Sequence, residues 1–508
     1  MIFLSDITTL AYGALALIII LTLVNKLTTW EHIVPLNIPW IDRRAEPFSY
    51  LRAKWRSFLN MRQNMTTAYY TVNKQQGRAA AIAIAFGRPQ IVLPPKYVRW
   101  IATQPDTVLS MDPINDEFHY FLRDGLVGDL LLNEALRRKL SQYLPELIAE
   151  MSEEIVLAVD KVLGSEEEWR ALPLRDTMRT IAARVSNRLF VGTELCRNED
   201  YVRHAVGLGM AVMPQTLVQD LLPRVLKFPL SFATKLFTRI SLAGITKHLV
   251  PVIRQRIRDI QTIEKDQLPR ELLTWLAQRA LQRGESPASL EHTLVARIAV
   301  VNLAAIETTV KALTTCLEDI AADTSRDYLA LMKDEAHSVL SGCYGPGGGG
   351  APPTKADVDK LVHIDRALKE SLRLGMVLPG LIRQVTAPNG VTLDDGTHLR
   401  CGARISVAAY GIHRDEENWP DATTYNPSRH EGDSLPMSRG TEKYLAFSMG
   451  RRACPGRFFV SDEMKLLTAY IITRYEIKVV KPPVTKVGLV QELTMRGPQE
   501  QLLVRRIK

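Results

Sequence analysis

"FSMGRRACPG", Phe447 to Gly456, places one cysteine, Cys454, between two arginines and a Pro-Gly step. A thiolate is a strong, electron-donating ligand for iron, but it has to be kept ionised and shielded. The run that follows, "RFFVSDEMKLLTAYIITRY", is predicted to be a helix from about Arg457. A helix N-terminus offers free amides and the positive end of a dipole, and both lower a thiol pKa. Arg451 and Arg452 add positive charge. Gly450 and Gly456 let the backbone turn tightly and approach a flat cofactor. Phe447 stands where it can shield the sulfur. Taken alone, the stretch fits a buried structural cysteine at least as well, the usual state of a free Cys.

The rest of the chain narrows the choice. Its 508 residues can bury a large core and still enclose a cavity. The five cysteines, Cys196, Cys316, Cys343, Cys401 and Cys454, are odd in number, widely spaced and never form a CxxC pair. That argues against a disulfide framework, a zinc site or a covalently attached c-type haem, and for a reducing compartment. The net charge of +9 is spread along the chain rather than gathered into a patch, so no nucleic acid is expected as partner. An anionic membrane or an acidic protein surface remains compatible with it.

The stretch "ITTLAYGALALIIILTLV", Ile7 to Val24, has 18 residues and no charge. As a helix it would be about 27 Å long, close to the thickness of a bilayer core. Asp6 precedes it; Lys26, Arg43 and Arg44 follow. The charge bias puts the remainder of the chain in the cytosol. It reads as an uncleaved single-span anchor, with a buried helix or a cleaved signal as the alternative. Residues 1–34 are then the anchor and its flank, and 35–508 the globular part. Pro35 and Pro39 form a stiff connector.

Two apolar strands are predicted in Ala79–Val98, around a Gly-Arg-Pro turn. Helical spacing covers Asn133–Leu163 and Arg175–Gly192. The apolar segment Ala205–Leu249, interrupted by Pro214, Pro223 and Pro229, reads either as a lid that also touches lipid or as ordinary short core helices. Ser289–Asp323 has no Gly or Pro and predicts one helix of about 50 Å crossing the molecule's centre. Gly342–Pro353 is a glycine-rich loop lacking the Lys-Ser/Thr of a phosphate loop. Short strands and turns follow Pro379.

Phe447, Gly450, Arg452, Cys454 and Gly456 match F-x-x-G-x-R-x-C-x-G, and the string resembles the haem-binding loop of the cytochromes P-450, the haem-thiolate monooxygenases. Three further stretches agree. "ESLR" supplies Glu370 and Arg373 on one helical face, and "YNPSR" supplies Arg429; in this family these three join as a buried network that holds the cysteine loop. "AAIETT", Ala304 to Thr309, resembles the oxygen-activation motif, with Ala305 where many members have Gly. Ala304 leaves room above the haem. Thr308 can bond back to the carbonyl four residues before it, and Glu307 can pass protons inward. "RVSNRLFVGTELCRN", Arg184 to Asn198, is similar to a stretch of filamentous-fungal members. Arg383 in "LIRQV" is placed by the resemblance at a haem propionate. Arg137 in "NEALRRK" is a second candidate for that role, although the Trp that often precedes it in the family is absent.

The resemblance implies a mainly α fold, the triangular helical prism of the family, with a small β region. It implies haem b with Cys454 as axial ligand to iron, and Arg452, Phe447, Gly450 and Gly456 around it. Electrons would come from NADPH through a flavoprotein reductase docking on the basic face at Arg451 and Arg452, with cytochrome b5 as a second candidate partner. The site would be the cytosolic face of the endoplasmic reticulum membrane. The substrate would be a lipophilic molecule of fungal specialised metabolism, terpenoid or polyketide. Two rivals stand beside this reading. A haem-thiolate isomerase or dehydratase would have no use for Glu307 and Thr308, and a haem sensor would have no use for a reductase.

Overall fold

The structure, a computed structural model, describes residues 30–84, 88–118, 130–221, 224–322, 327–343, 350–375, 380–480 and 500–507. The anchor expected at Ile7–Val24 lies outside them, as do residues 85–87 of the expected turn and 344–349 of the glycine-rich loop.

Strands are β1 (Trp40–Ile41), β2 (Ala80–Ile82), β3 (Gln90–Leu93), β4 (Leu109–Ser110), β5 (Arg170–Pro173), β6 (Gly380–Val385), β7 (Val391–Thr392), β8 (His398–Leu399), β9 (Arg404–Val407), β10 (Tyr475–Val480) and β11 (Gln501–Arg506). The longer helices are α1 (Ser49–Thr67), α2 (Ser141–Leu163), α3 (Leu174–Val191), α4 (Glu199–Leu221), α5 (Arg224–Thr262), α6 (Leu272–Gln282), α7 (Pro287–Ala322), α8 (Asp327–Leu340), α9 (Val362–Gly375) and α10 (Arg457–Arg474).

The described residues fall into two units. One comprises 30–111, 220–221 and 380–412. It holds a six-stranded sheet in the order β1-β2-β3-β9-β6-β4 and the β7–β8 hairpin. β2 and β3 pair antiparallel, with Ala81 opposite Ile91, as expected for Ala79–Val98. Every residue of β3 and β9 is buried, because these strands run in the sheet interior and are covered on both faces.

The second unit is helical and carries the cysteine loop, with a three-stranded sheet β10-β11-β5. Its centre is α7. Pro287 opens that helix where a missing N–H costs nothing. From Leu294 to Asn302 every residue is buried, as expected for a helix crossing a core. α7 packs against α3, α5, α9 and α10, and α9 packs against α10. The segment Ala205–Leu249 forms parts of two long helices, α4 and α5, rather than short ones. Pro214 and Pro229 lie inside them. Two described stretches, Lys235–Thr262 and Pro287–Ala322, are long and apolar enough to cross a bilayer; the second is α7, a core helix.

Candidate active site

The cysteine loop ends where α10 begins. Gly450 sits at φ +73° and Ser448 at +58°, so the chain turns sharply twice before a short 3-10 turn at Gly450–Arg452. The left-handed φ at Gly450 favours glycine. Gly456 has an ordinary φ of −87°; a Cβ there would project into open space, so its gain is room rather than a turn. The Cys454 N–H donates to the Phe447 carbonyl at 2.9 Å, closing the loop on itself. Backbone N–H groups of Gly456 and Arg457 donate toward the sulfur. Burial nevertheless pushes the thiol pKa up, against these amides and the charges of Arg457 and Arg137. The lowering expected from Arg451 and Arg452 is not what the loop produces. Arg452 is paired with Asp112 at 2.8 Å, and the cations that act on the sulfur are Arg457 and Arg137. Arg137 also donates to the Arg451 carbonyl at 2.7 Å, which sets it against the loop backbone.

Glu370 lies on α9, fully buried. Arg373 grips it with two nitrogens, Nε and Nη2, each at 2.8 Å. Arg429 Nε donates at 2.7 Å, the Asn426 N–H at 3.1 Å, and His430 Nε2 at 3.1 Å. Burial would raise the carboxyl pKa, but the hydrogen bonds from Arg373 and His430 and the two guanidinium charges hold it at about 2. His430 sits next to Arg429 in the chain and was not foreseen.

A second unforeseen histidine joins this network to the cysteine loop. Arg373 Nη1 donates to the carbonyls of His413 and, at 2.6 Å, of Ala422. His413 Nδ1 donates to the Arg373 carbonyl at 3.0 Å, and its Nε2 accepts the Leu445 N–H at 2.8 Å. One ring nitrogen faces an acceptor and the other a donor, so the tautomer is fixed and the ring is neutral. Burial pushes its pKa down to about 3. The chain Glu370, Arg373, His413, Leu445 N–H thus ends two residues before Phe447.

On α7 the burial breaks at Ala304 and Thr308, one turn apart on one face and both exposed. Thr308 Oγ1 donates to the Ala304 carbonyl at 2.8 Å. Its lone pairs are therefore free to accept from the open side. Glu307 points elsewhere. Arg179, on α3, holds its carboxylate through Nε at 2.8 Å and Nη2 at 3.2 Å. Spacing along the chain carries no signal for this partner 128 residues away.

Arg383 belongs to the other unit. It is buried on β6 and donates to the Ile382 carbonyl at 2.7 Å. Phe447 is half-buried against the helical core, as is Ala305.

The donor set fits a haem iron. A single soft sulfur, supported by two amides, is what a thiolate ligand to iron requires. An exposed, small-residue helix face on α7 leaves space for a flat group.

Comparison with known proteins agrees with this chemistry. The family model "Cytochrome P450" matches residues 117–503. The chain is 67% identical over 503 residues to the cytochrome P450 monooxygenase ecdH of Aspergillus rugulosus, covering 99% of each. It is 45% identical to the cytochrome P450 monooxygenase gloO of Glarea lozoyensis, covering 98% of each. The crystal structure of the cytochrome P450DA heme domain shares the fold, with a TM-score of 0.67 at 17% identity, over 93% of this chain and 98% of that one. With its cysteine loop, buried Glu370 network and long central helix, this chain belongs to the cytochrome P-450 family of haem-thiolate monooxygenases.

Proposed function

We propose that the chain inserts one oxygen atom of O2 into a lipophilic small molecule of fungal secondary metabolism, of terpenoid or polyketide type, with Cys454 as the axial ligand of its haem. The observation that carries this reading is the sulfur of Cys454 at the N-terminus of α10, with its loop tied through His413 to Glu370. The haem supplies the oxygen-activating chemistry. The protein's own side chains do the rest. Phe447 and the loop backbone enclose the sulfur. Arg137 and Arg383 are the candidate propionate partners, and Arg452 braces the loop through Asp112. Ala304 keeps the α7 face low. Thr308 Oγ1 accepts and passes protons on the open side of α7, and Glu307 brings them to it.

Electrons come from NADPH through a flavoprotein reductase, with cytochrome b5 as a second donor, on the basic face around Arg451. The catalytic part faces the cytosol from a single span at Ile7–Val24 in the endoplasmic reticulum membrane. Exposed Leu236, Phe237 and Ile240 on α5 support a second contact with lipid.

The test is spectroscopic. The reduced carbon monoxide complex of the native protein should absorb far to the red of a histidine-ligated haem. Cys454→Ser should abolish that band, and serine at Cys196, Cys316, Cys343 or Cys401 should leave it. A band that survives Cys454→Ser refutes the ligand assignment. Removing residues 1–26 should move part of the protein to the soluble fraction.

A further inference from the structure

Three buried polar side chains meet where α3, α4 and α7 come together. Asn187 on α3 and Tyr201 on α4 are 0% exposed, and Asn302 on α7 is 1% exposed. Asn187 Nδ2 donates to the Ala183 carbonyl and to Asn302 Oδ1, each at 2.8 Å. Asn302 Nδ2 donates to Tyr201 Oη at 3.3 Å, and Tyr201 Oη donates to Asn187 Oδ1 at 3.1 Å. A carbonyl can only accept, so the bond to Ala183 fixes which end of the Asn187 amide is nitrogen. Asn302 must then turn its oxygen to Asn187 and its nitrogen to Tyr201, and the phenol must donate back to Asn187. The bonds close into a ring with one direction. Burial raises the Tyr201 pKa, so the phenol keeps its proton. Tyr201 is itself fixed in the first turn of α4, where its N–H donates to Asn198 Oδ1 at 3.0 Å.

The ring supplies what the apolar packing of α7 lacks. From Leu294 to Asn302 that helix is buried on every side, so it has no apolar stripe whose burial would fix its rotation. Apolar contact is non-directional. Arg297, the other polar residue of the run, reaches back to Thr293 and Glu285. Asn302 shares a face with buried Ile306 and Thr309. At about 100° per residue, Ala304 and Thr308 lie on the opposite side. A rotation by one position would put Leu303 in the place of Ala304 and Glu307 in the place of Thr308. A buried Asn with directed partners is the kind of residue that fixes helix register.

We propose that Asn302 is a positioning residue that sets the rotation of α7, and so the direction of Ala304 and Thr308, through its hydrogen bonds to Asn187 and Tyr201. The proposal rests on the monooxygenase reading in one respect: the open face of α7 is the face that meets haem and substrate. Asn187 is the fixed member, because it is also bonded within α3. Tyr201 holds the far end of the Asn302 amide from α4.

The test replaces the ring by apolar groups of similar shape, with Asn187→Leu, Tyr201→Phe and Asn302→Leu combined. No member is then left unpaired, so the fold is kept. Imidazole and its phenyl derivative are the probes. Both bind haem iron through nitrogen and are read by difference spectra, and only the larger one reaches the α7 face. Loss of a neutral hydrogen bond from one of two arrangements shifts their balance by about 2- to 12-fold. The Kd of the phenyl derivative should rise by about that factor, while the Kd of imidazole and the red-shifted carbon monoxide band stay native. Tyr201→Phe alone keeps the bond from Asn187 to Asn302, and should leave both Kd values within about 2-fold of native. A ring that serves stability alone would lower the unfolding temperature and leave the ratio of the two Kd values unchanged. An unchanged ratio in the triple variant overturns the proposal. So does a Tyr201→Phe shift as large as the triple variant's, which would place the effect in α4. If the triple variant takes up no haem, Asn302→Leu carries the same ratio test. A double-mutant cycle of thermal unfolding stands beside it and needs no bound probe. Asn187→Leu and Asn302→Leu should be non-additive, and additive losses also overturn the proposal. A native protein without the red-shifted band refutes the monooxygenase reading instead, and the unfolding cycle still judges the ring.

Discussion

Replacing Glu370 by alanine should cost the protein a large part of its stability and its haem. The carboxylate accepts hydrogen bonds from Arg373 Nε and Nη2, Arg429 Nε, His430 Nε2 and the Asn426 N–H, and both Glu370 and Arg373 are 0% exposed. Without it, Arg373 is a buried charge with only carbonyls around it, which costs about 3–5 kcal/mol. A second route gives a similar size. Holding the carboxyl at about 2 against an ordinary 4.5 corresponds to about 3 kcal/mol. A typical domain has about 5–15 kcal/mol in all. The loss should reach the cysteine loop as well, because Arg373 positions His413, and His413 holds the Leu445 N–H. Denaturant unfolding measures the first effect, and the haem-to-protein absorbance ratio the second. Glu370→Gln, which keeps the shape but not the charge, should fall between native and alanine. A lowered acid pKa stabilises fully above pH 4.5, and that stability fades as pH falls toward about 2. An alanine variant with full haem content and a loss under about 1 kcal/mol would refute the claim that this network holds the loop.

Thr308→Ala should keep haem and the carbon monoxide band but lower product per NADPH by about an order of magnitude, with peroxide released; unchanged coupling removes Thr308 from proton transfer. His413 is neutral when folded, with its pKa pushed down to about 3, so protonation favours the unfolded chain increasingly as pH falls from 6.5 toward about 3. Native unfolding temperature should drop across that window above the carboxylate range, and His413→Asn should flatten the drop. Glu463, buried on α10 and accepting from Ser186 Oγ at 3.0 Å, has its pKa pushed up by burial to about 8. A raised acid pKa stabilises fully below pH 4.5, and the contribution is lost as pH rises through about 8. Glu463→Gln should therefore melt above the native protein at pH 8 and with it at pH 4.5. Equal melting at both would mean that Glu463 is ionised in the fold.

Local pattern reached far in this chain. The loop around Cys454, the helix that starts at Arg457, the unbroken helix from Pro287 and the strand pair at Ala80–Leu93 depend on neighbours in sequence: a left-handed glycine, an N-terminal proline, apolar periodicity. So does the bond from Thr308 to Ala304, which spans one helical turn. The thiolate chemistry of one residue in a specific five-position frame, with three further stretches in agreement, was enough to name the reaction class.

Tertiary structure decided the electrostatics. Local charge argued for a lowered thiol pKa at Cys454, yet burial in the fold outweighs it, and Arg452 is paired with Asp112, 340 residues away. Glu307 reads as a free proton carrier along the chain, but Arg179 reaches it from another helix. His413 and His430 carry no motif, and they matter only because folding places them against Glu370, Arg373 and Leu445. Backbone preference is set within a few residues, whereas desolvation and ion pairing depend on which surfaces meet in space, and those meetings are contacts across the whole chain.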